Sequence, residues 1–294
     1  MGYSTGGKER KMTANSTRTW FITGASTGFG RLLAQELLKR GERVAATARD
    51  VAKVEDLARQ YPGKARAFTL DVTKPEEIEA VARKAIEAFG QIDVLVNNAG
   101  YGLHGAIEEV SEEEFESLFQ TNLYGLIRTT RAFLPHFRER RSGHIFNFSS
   151  IGGLVANPGW GYYCTTKFAV EGFSEALAEE MKPLGVRVTV IEPGPFRTDF
   201  LGRSGKLAVR ELPEYASTAG MSREYVRIQA GKQRGDPQKA AEAIIAVADS
   251  PEPPLHLILG KIALTRFRDK LAHWQKEISA WEAVTTGADF PEGA

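Results

Sequence analysis

The sequence predicts an α/β protein: a single-domain, doubly wound parallel sheet of about seven strands with helices on both faces. From residue 19 onward, short apolar runs typical of strands alternate with the apolar periodicity of amphipathic helices. Strands joined through helices need crossover connections, which make the sheet parallel and the connections right-handed. The strand runs are apolar almost throughout, which indicates a sheet covered on both faces.

Each element is predicted from its own pattern. TWFIT (19–23) is a short apolar run followed by a glycine, and RLLAQELLKRG (31–41) places leucines at helical spacing before Gly41, a typical C-terminal cap. Further strands are predicted at 43–47, 66–70, 93–97, 144–150, 186–191 and 256–259, and further helices near 162–183 and 237–249.

Capping boxes indicate two more helices, because Ser or Thr followed three residues later by Glu satisfies the free N–H groups of a first turn. Thr73 with Glu76 precedes an apolar stripe over 78–89. Ser111 with Glu114 precedes the other predicted helix.

Composition divides the chain into a domain and two terminal segments. Residues 1–18 are polar and lack the apolar centre of a signal peptide, so they are predicted to be a disordered leader or an expression remnant. The domain is predicted over 19–275, with a substrate lid near 193–235, where about forty residues show little strand pattern. Residues 276–294 are interpreted as a C-terminal tail.

The charge balance argues against polyanionic partners. The chain has 38 Lys and Arg against 37 Asp and Glu, a formal net charge of +1, so neither nucleic acid nor a membrane is an expected partner. No apolar run approaches the ~18–20 residues that span a bilayer. The single cysteine, Cys164, suits a reducing compartment, and we expect a cytoplasmic protein that binds a small molecule.

A glycine-rich turn, TGASTGFG (23–30), lies between the first strand and the first helix. Glycines at this point allow a tight turn and a close approach of the backbone to a pyrophosphate, whose charge the helix N-terminus stabilises. The alternative is a glycine-rich turn without a ligand. The predicted cofactor-binding residues of the turn are Gly24, Ser26, Thr27, Gly28, Phe29 and Gly30.

The turn resembles the T-G-x-x-x-G-x-G of the classical short-chain dehydrogenases/reductases, and NNAG (97–100) is similar to the second signature of that family. The resemblance covers about 19–260. It implies a Rossmann fold, a nicotinamide cofactor, and a homodimer or homotetramer, often formed through the helices near 111–135 and 162–183.

The resemblance also implies cofactor contacts elsewhere in the chain. The third strand ends at a pair that resembles the family's adenine-contacting residues, and PGPFRT (193–198) resembles its P-G-x-x-x-T, which borders the nicotinamide. Without the resemblance, these would be a turn or cap residue and an ordinary Pro-Gly turn. The implied contacts are Asp71, Val72, Asn98, Ala99, Gly100, Pro193, Gly194 and Thr198.

The end of the second strand favours NADP(H) over NAD(H). A carboxylate there would accept hydrogen bonds from a ribose and repel a 2′-phosphate, but the family resemblance assigns that position to Ala48, followed by Arg49. The planar guanidinium of arginine suits a phosphate. The alternatives are an Arg49 that only pairs with Asp50, and an enzyme that uses NAD(H).

Lys167 follows two adjacent tyrosines. Tyr163 and Lys167 are four residues apart and share a helix face, whereas Tyr162 is five residues away and lies about 140° around the helix. A nearby ammonium favours the phenolate, so we expect Lys167 to lower the pKa of Tyr163 for general acid/base catalysis. An ordinary pair on a helix surface is the alternative.

Two further residues complete the predicted catalytic set. Ser150 ends a strand thirteen residues before Tyr163, at the place of the family's catalytic serine, where its hydroxyl would stabilise negative charge on the substrate oxygen. Ser149 points to the other face, because strand side chains alternate. Asn122 resembles the family's catalytic asparagine, which holds a water for proton relay to the lysine.

We expect a hydrophobic alcohol or ketone as substrate, because the candidate lining residues are mostly apolar. These residues are Tyr101, Leu103, Leu154, Val155, Trp160, Phe196 and Phe200. No metal site is expected, because the five histidines show no ligand spacing. A non-catalytic nucleotide sensor with the same fold is the alternative from another functional class.

Overall fold

A computed structural model describes residues 17–290. The strands are β1 (Thr19–Ile22), β2 (Arg43–Ala48), β3 (Ala65–Thr69), β4 (Val94–Asn97), β5 (Gly102–His104), β6 (Gly143–Phe148), β7 (Val186–Pro193), β8 (Gly205–Leu207) and β9 (His256–Leu259). Seven of them form one parallel sheet, in the order β3-β2-β1-β4-β6-β7-β9. The two short strands β5 and β8 form a second parallel pair. The predicted single-domain doubly wound sheet is confirmed.

Helices cover both faces of the sheet. Trp20 and Ile22 of β1 face one apolar core and Phe21 faces the other, as the alternation of strand side chains requires. The helices are α1 (Gly28–Lys39), α2 (Glu55–Gln60), α3 (Pro75–Phe89), α4 (Glu112–Phe119), α5 (Gly125–Arg140), α6 (Gly161–Met181), α7 (Ala219–Gln229), α8 (Pro237–Asp249) and α9 (Lys261–Thr286). The first core includes residues of α1 and α8, and the second includes residues of α3, α5 and α6.

One of the two predicted capping boxes forms. Ser111 accepts from the Glu114 backbone while the Glu114 side chain accepts from the Ser111 backbone, which confirms the start of α4. The box predicted at Thr73 is wrong, because α3 begins at Pro75 without a side-chain cap. The Thr73 hydroxyl instead donates a hydrogen bond to the Asp71 carboxylate, a local contact that competes with capping of the helix.

The segment 193–235, predicted to have little regular structure, contains β8 and the helix α7. Beyond β9, α9 runs from Lys261 to Thr286, so the predicted domain boundary after residue 275 falls inside a helix. No helix of the described chain is both long and apolar enough to cross a bilayer.

At the N-terminus, most of the predicted leader lies outside the described residues. Arg18, which the sequence assigned to that leader, is part of the fold: its guanidinium lies 3.0 Å from Glu42 and 2.5 Å from Asp249. These ion pairs join Arg18 to the residue that directly precedes β2 and to the last residue of α8.

Candidate active site

A cavity of about 1130 Å³ opens at the carboxyl ends of the parallel strands, beside β1 and β4. The strand order reverses between these two strands, and open α/β sheets bind their ligands at such a point. The predicted site residues that line the cavity are Gly24, Ser26, Thr27, Gly28, Phe29, Arg49, Asp71, Val72, Asn98, Ala99, Gly100, Ser150, Tyr163, Lys167, Pro193, Gly194 and Thr198. Gly30 and Asn122 lie behind the cavity wall.

The glycine turn has the backbone that its sequence predicts. Gly24 and Gly28 have φ angles of 68° and 58°, in the left-handed region that favours glycine. Thr27 precedes α1 without a side-chain cap, so the first N–H groups of the helix are not occupied by a cap. This arrangement fits a dinucleotide, whose pyrophosphate such a turn and helix terminus can bind.

Asn98 fastens the glycine turn to the end of β4. Its side-chain amide donates to the carbonyl oxygens of Thr23 and Gly24 at 2.9 and 3.0 Å. A methyl group on Gly30 would lie 2.5 Å from the same amide, so only glycine fits there. Gly30 thus supports the turn from behind, as the packing role of the third glycine requires.

Ser149 and Ser150 follow β6 and point in different directions. The Ser150 hydroxyl accepts a hydrogen bond from the Gly152 backbone at 3.0 Å and lies beside the Tyr163 hydroxyl. The Ser149 hydroxyl instead donates to the Lys167 carbonyl at 3.4 Å, so it packs against α6. Of the two serines, only Ser150 can form a hydrogen bond to a substrate oxygen that Tyr163 also contacts.

The adjacent tyrosines also separate. Tyr163 is buried at the cavity, and the Lys167 ammonium lies 5.7 Å from the centre of its ring. Tyr162 stacks on Phe115 at 4.8 Å and is not part of the cavity wall. The helical spacing therefore brings the lysine to Tyr163.

The electrostatics of this pair differ from the expectation that Lys167 lowers the pKa of Tyr163. Burial raises the pKa of Tyr163, and the nearby Ser150 hydroxyl only partly opposes this shift. Burial also lowers the pKa of Lys167 to about 8, although the nearby Glu171 carboxylate raises it. The ammonium donates its hydrogen bond to the Phe148 backbone carbonyl at 2.7 Å, not to Tyr163. The groups of the protein itself therefore leave the Tyr163 hydroxyl protonated and neutral.

Asn122 lies in a π-helical turn, Gln120–Tyr124, between α4 and α5. Such turns interrupt the regular hydrogen bonds of a helix and are frequent at functional sites. The buried Asn122 side chain donates to the Tyr101 carbonyl at 2.9 Å and accepts from the Tyr101 N–H at 3.0 Å. The Asn122 side-chain oxygen and the Lys167 ammonium both border Gly100: a methyl group on this glycine would lie 3.2 Å from the first and 3.9 Å from the second. The asparagine is therefore close to the lysine.

Arg49 lies exposed at the rim of the cavity, after the end of β2. Asp50 pairs with Lys53 at 3.5 Å, and within residues 17–290 no carboxylate lies within ion-pair distance of Arg49. Burial opposes the ionisation of Asp71, but hydrogen bonds from Thr73 and the charges of Arg49 and Lys74 together hold the pKa of Asp71 below its usual value. This end of the cavity thus combines a guanidinium with a carboxylate.

A sequence profile described as short chain dehydrogenase matches residues 18–206. The chain belongs to the short-chain dehydrogenase/reductase family. It is 39% identical over 250 residues to oxidoreductase BOA17 of Botryotinia fuckeliana, covering 84% of this chain and 90% of that protein. It is 36% identical over 248 residues to a 3-ketodihydrosphingosine reductase of Bacteroides thetaiotaomicron, covering 84% and 89%.

Solved structures of the family have the same fold. A short-chain dehydrogenase of Streptomyces avermitilis is similar with a TM-score of 0.88 and 42% identity, over 94% of this chain and all of the other. An alcohol dehydrogenase of Thermococcus sibiricus, complexed with 5-hydroxy-NADP, gives 0.69 and 29%, over 83% and 96%. A 3-ketoacyl-(acyl-carrier-protein) reductase of Brucella melitensis, complexed with NADH, gives 0.69 and 29%, over 84% and 98%. A nicotinamide cofactor is therefore supported for this member of the family.

The apolar wall of the cavity differs in part from the predicted one. Tyr101, Trp160, Phe196 and Phe200 line it, and the Trp160 and Phe200 rings are parallel to within 11°. The predicted lining residues Leu103, Leu154 and Val155 do not. Leu103 belongs to a small buried core. The backbone carbonyl groups of Leu154 and Val155 accept hydrogen bonds from side chains of α9.

Sequence patterns missed other residues of the wall, because they come from the lid segment and the C-terminal helix. They include Ser217, Thr218, Met221, Ser222 and Tyr225 in or near α7, and Ile262 and Arg266 in α9. Cys164 also lines the cavity, and burial raises the pKa of its thiol.

A cluster of two buried carboxylates and an exposed histidine joins α6, β7 and β9. Glu171, Glu192 and His256 bring potential ligand atoms within 4.8 Å of one another. Nδ1 of His256 lies 3.6 Å from Glu171 and 2.7 Å from Glu192, and the two carboxylates raise the pKa of His256 to about 10. A charged imidazolium therefore already offsets part of the negative charge of the carboxylates. No local sequence pattern indicates this cluster, because its members are far apart along the chain.

Proposed function

We propose that this chain is an oxidoreductase that transfers a hydride between NADP(H) and a carbonyl or secondary alcohol on a hydrophobic substrate. The observation that carries the proposal is the convergence of Ser150, Tyr163 and Lys167 at one cavity, which the glycine turn also lines. A non-catalytic nucleotide sensor would have no need to keep these three polar groups together in a largely buried position.

The protein supplies the proton chemistry of this reaction. When bound, the dinucleotide supplies or accepts the hydride, and its oxidised nicotinamide ring adds a positive charge to the site. Reduction leaves negative charge on the carbonyl oxygen, which the Ser150 hydroxyl stabilises by a hydrogen bond while the Tyr163 hydroxyl donates the proton. In alcohol oxidation the same two groups act in reverse.

Lys167 stabilises the phenolate that Tyr163 becomes when it gives up its proton. The ammonium is 5.7 Å from the ring centre in a buried position, where water screens the attraction little. We assign Asn122 to the relay that returns a proton to Lys167, because it lies close to the lysine and in a π-helical turn. In this role Asn122 acts through the lysine rather than on the substrate.

NADP(H) is the cofactor that the rim of the cavity favours. Ala48 leaves no carboxylate at the end of β2 to repel a 2′-phosphate, and the Arg49 guanidinium beside it is suited to bind one. NAD(H) is the second candidate, because the similar reductase of Brucella melitensis is complexed with NADH.

The substrate end of the cavity favours a ketone or alcohol on an apolar skeleton. Trp160, Phe200 and Tyr163 form an aromatic wall, with Tyr163 and Phe200 rings 5.5 Å apart. The similarity to a 3-ketodihydrosphingosine reductase supports a hydrophobic carbonyl compound. We also propose a cytoplasmic homodimer or homotetramer with the lid over 193–235.

Replacing Arg49 tests the choice of cofactor. Arg49→Ala removes a charge-assisted bond of about 1.5–3 kcal/mol, so KM for NADPH should rise by roughly ten- to a hundredfold while KM for NADH stays unchanged. Arg59→Ala is the matched control, because Arg59 is an exposed arginine on the neighbouring helix α2. Initial rates with both cofactors on a panel of hydrophobic ketones measure the effect. A wild-type preference for NADH would contradict the assignment of Arg49 but leave the oxidoreductase intact.

A further inference from the structure

The C-terminal part of α9 projects from the domain. Every residue from 271 to 286 is exposed, and the side-chain hydrogen bonds of this part, such as Gln275 to Ser279 and Thr285 to the Trp281 carbonyl, lie within the helix. At 1.5 Å per residue the projecting part is roughly 24 Å long. Isolated helices of this length are only marginally stable in water, so packing against another surface would stabilise it.

One face of this helix is strongly apolar. Leu271, Trp274, Ile278 and Trp281 recur at intervals of three, four and three residues, which we call the α9 stripe. Their exposed fractions are 46%, 49%, 58% and 64%. This spacing is that of the contact positions in a coiled coil, and contiguous exposed apolar surface marks interaction sites.

The charges along α9 are distributed unevenly. Residues 261–270 carry four cations and one carboxylate, a net charge of +3, and residues 271–290 carry one cation and three carboxylates, a net charge of −2. An antiparallel copy of the same helix places the acidic part of each chain beside the basic part of the other. An anionic membrane would repel the acidic, projecting part.

We propose that the α9 stripe packs antiparallel against the α9 stripe of a second copy of this chain. A two-fold axis makes such a contact self-complementary. With the two stripes in full overlap, Leu271 faces Trp281 of the other copy, Trp274 faces Ile278, and Arg268 lies next to Glu282. Each tryptophan exposes about half or more of the ~150–250 Å² that an aromatic side chain can bury. The two stripes and their flanks could therefore bury on the order of 1,000 Å² of accessible surface in total. That area is enough for a specific interface.

Sedimentation velocity of the full chain over a range of concentrations tests the contact. Ile278→Glu places a charge in the stripe and should halve the mass of the assembly, whereas Ala283→Glu, on the opposite face of the helix, should leave it equal to that of wild type. Circular dichroism and thermal unfolding check that both variants fold. A wild-type monomer at every concentration, or an unchanged mass for Ile278→Glu, would overturn the proposal.

A charge exchange tests the antiparallel orientation. Arg268→Glu and Glu282→Arg should each weaken the assembly by roughly two- to fivefold in dissociation constant, as exposed ion pairs do, and the double variant should restore it. Failure of the double variant to restore assembly would overturn the antiparallel pairing. Co-sedimentation with phosphatidylglycerol vesicles tests the other occupant: binding of wild type that Ile278→Glu abolishes, with no change in assembly mass, would assign the stripe to a membrane instead.

Discussion

Lys167 and Glu171 lie one turn apart on α6, and their charges are coupled in a buried position. Burial lowers the pKa of Lys167 to about 8, and the Glu171 carboxylate opposes this shift by favouring the ammonium. The lysine is therefore charged below about pH 8 and loses its charge as the pH rises through that value. If the ammonium stabilises the Tyr163 phenolate, the rate of carbonyl reduction should fall over the same pH range. This fall is the alkaline limb of the pH profile.

Glu171→Gln should move this limb to lower pH, because it removes the carboxylate that raises the pKa of Lys167. The kcat for ketone reduction between pH 6 and pH 10 measures the limb. Glu175→Gln is the control: Glu175 lies one turn further along α6 and its side chain is 59% exposed, so its variant should keep the wild-type limb. A limb that is unchanged in Glu171→Gln would contradict the coupling.

At the scale of elements, a buried ion pair anchors the lid segment. Arg223 of α7 lies 2.8 Å from Glu109, which follows β5, and their side chains are only 4% and 1% exposed. Glu109 also accepts from the backbone of Ala106 and Leu212, at 2.7 and 2.9 Å. These bonds join α7 to the body of the protein beside the aromatic wall of the cavity.

Arg223→Leu should lower the free energy of unfolding by about 3–5 kcal/mol, because it leaves the Glu109 carboxylate buried without its cation. Arg227→Leu, on the same helix, should cost less than about 1 kcal/mol, because Arg227 pairs with Glu224 at the surface at 3.6 Å. Urea titration of both variants measures the difference. Equal midpoints would show that the buried pair does not hold the lid.

At the scale of the whole molecule, the sheet was predictable because its signals are local. Each strand is an apolar run, such as 94–97, and the crossover rule then sets the direction of all seven. The glycine turn is contiguous in sequence, and Tyr163 and Lys167 share one helix, so helical geometry alone predicts which tyrosine of the pair lies at the cavity with the lysine.

Features that depend on distant residues were not predictable. The order of α7 rests on Glu109 and Arg223, which are 114 positions apart. Helix α9 begins within the domain, where Ala263 is buried, and continues past the predicted boundary at residue 275. The neutral Tyr163 follows from its burial, which the sequence does not encode locally.

The central claim is that Tyr163 exchanges a proton with the substrate in an NADP(H)-dependent reaction. The most direct test compares kcat/KM for NADPH-dependent reduction of a hydrophobic ketone in Tyr163→Phe and Tyr162→Phe. We expect Tyr163→Phe to lose roughly 10²–10⁴-fold, the usual contribution of general acid/base catalysis, and Tyr162→Phe to stay close to wild type. Full activity of Tyr163→Phe together with loss in Tyr162→Phe would contradict the account.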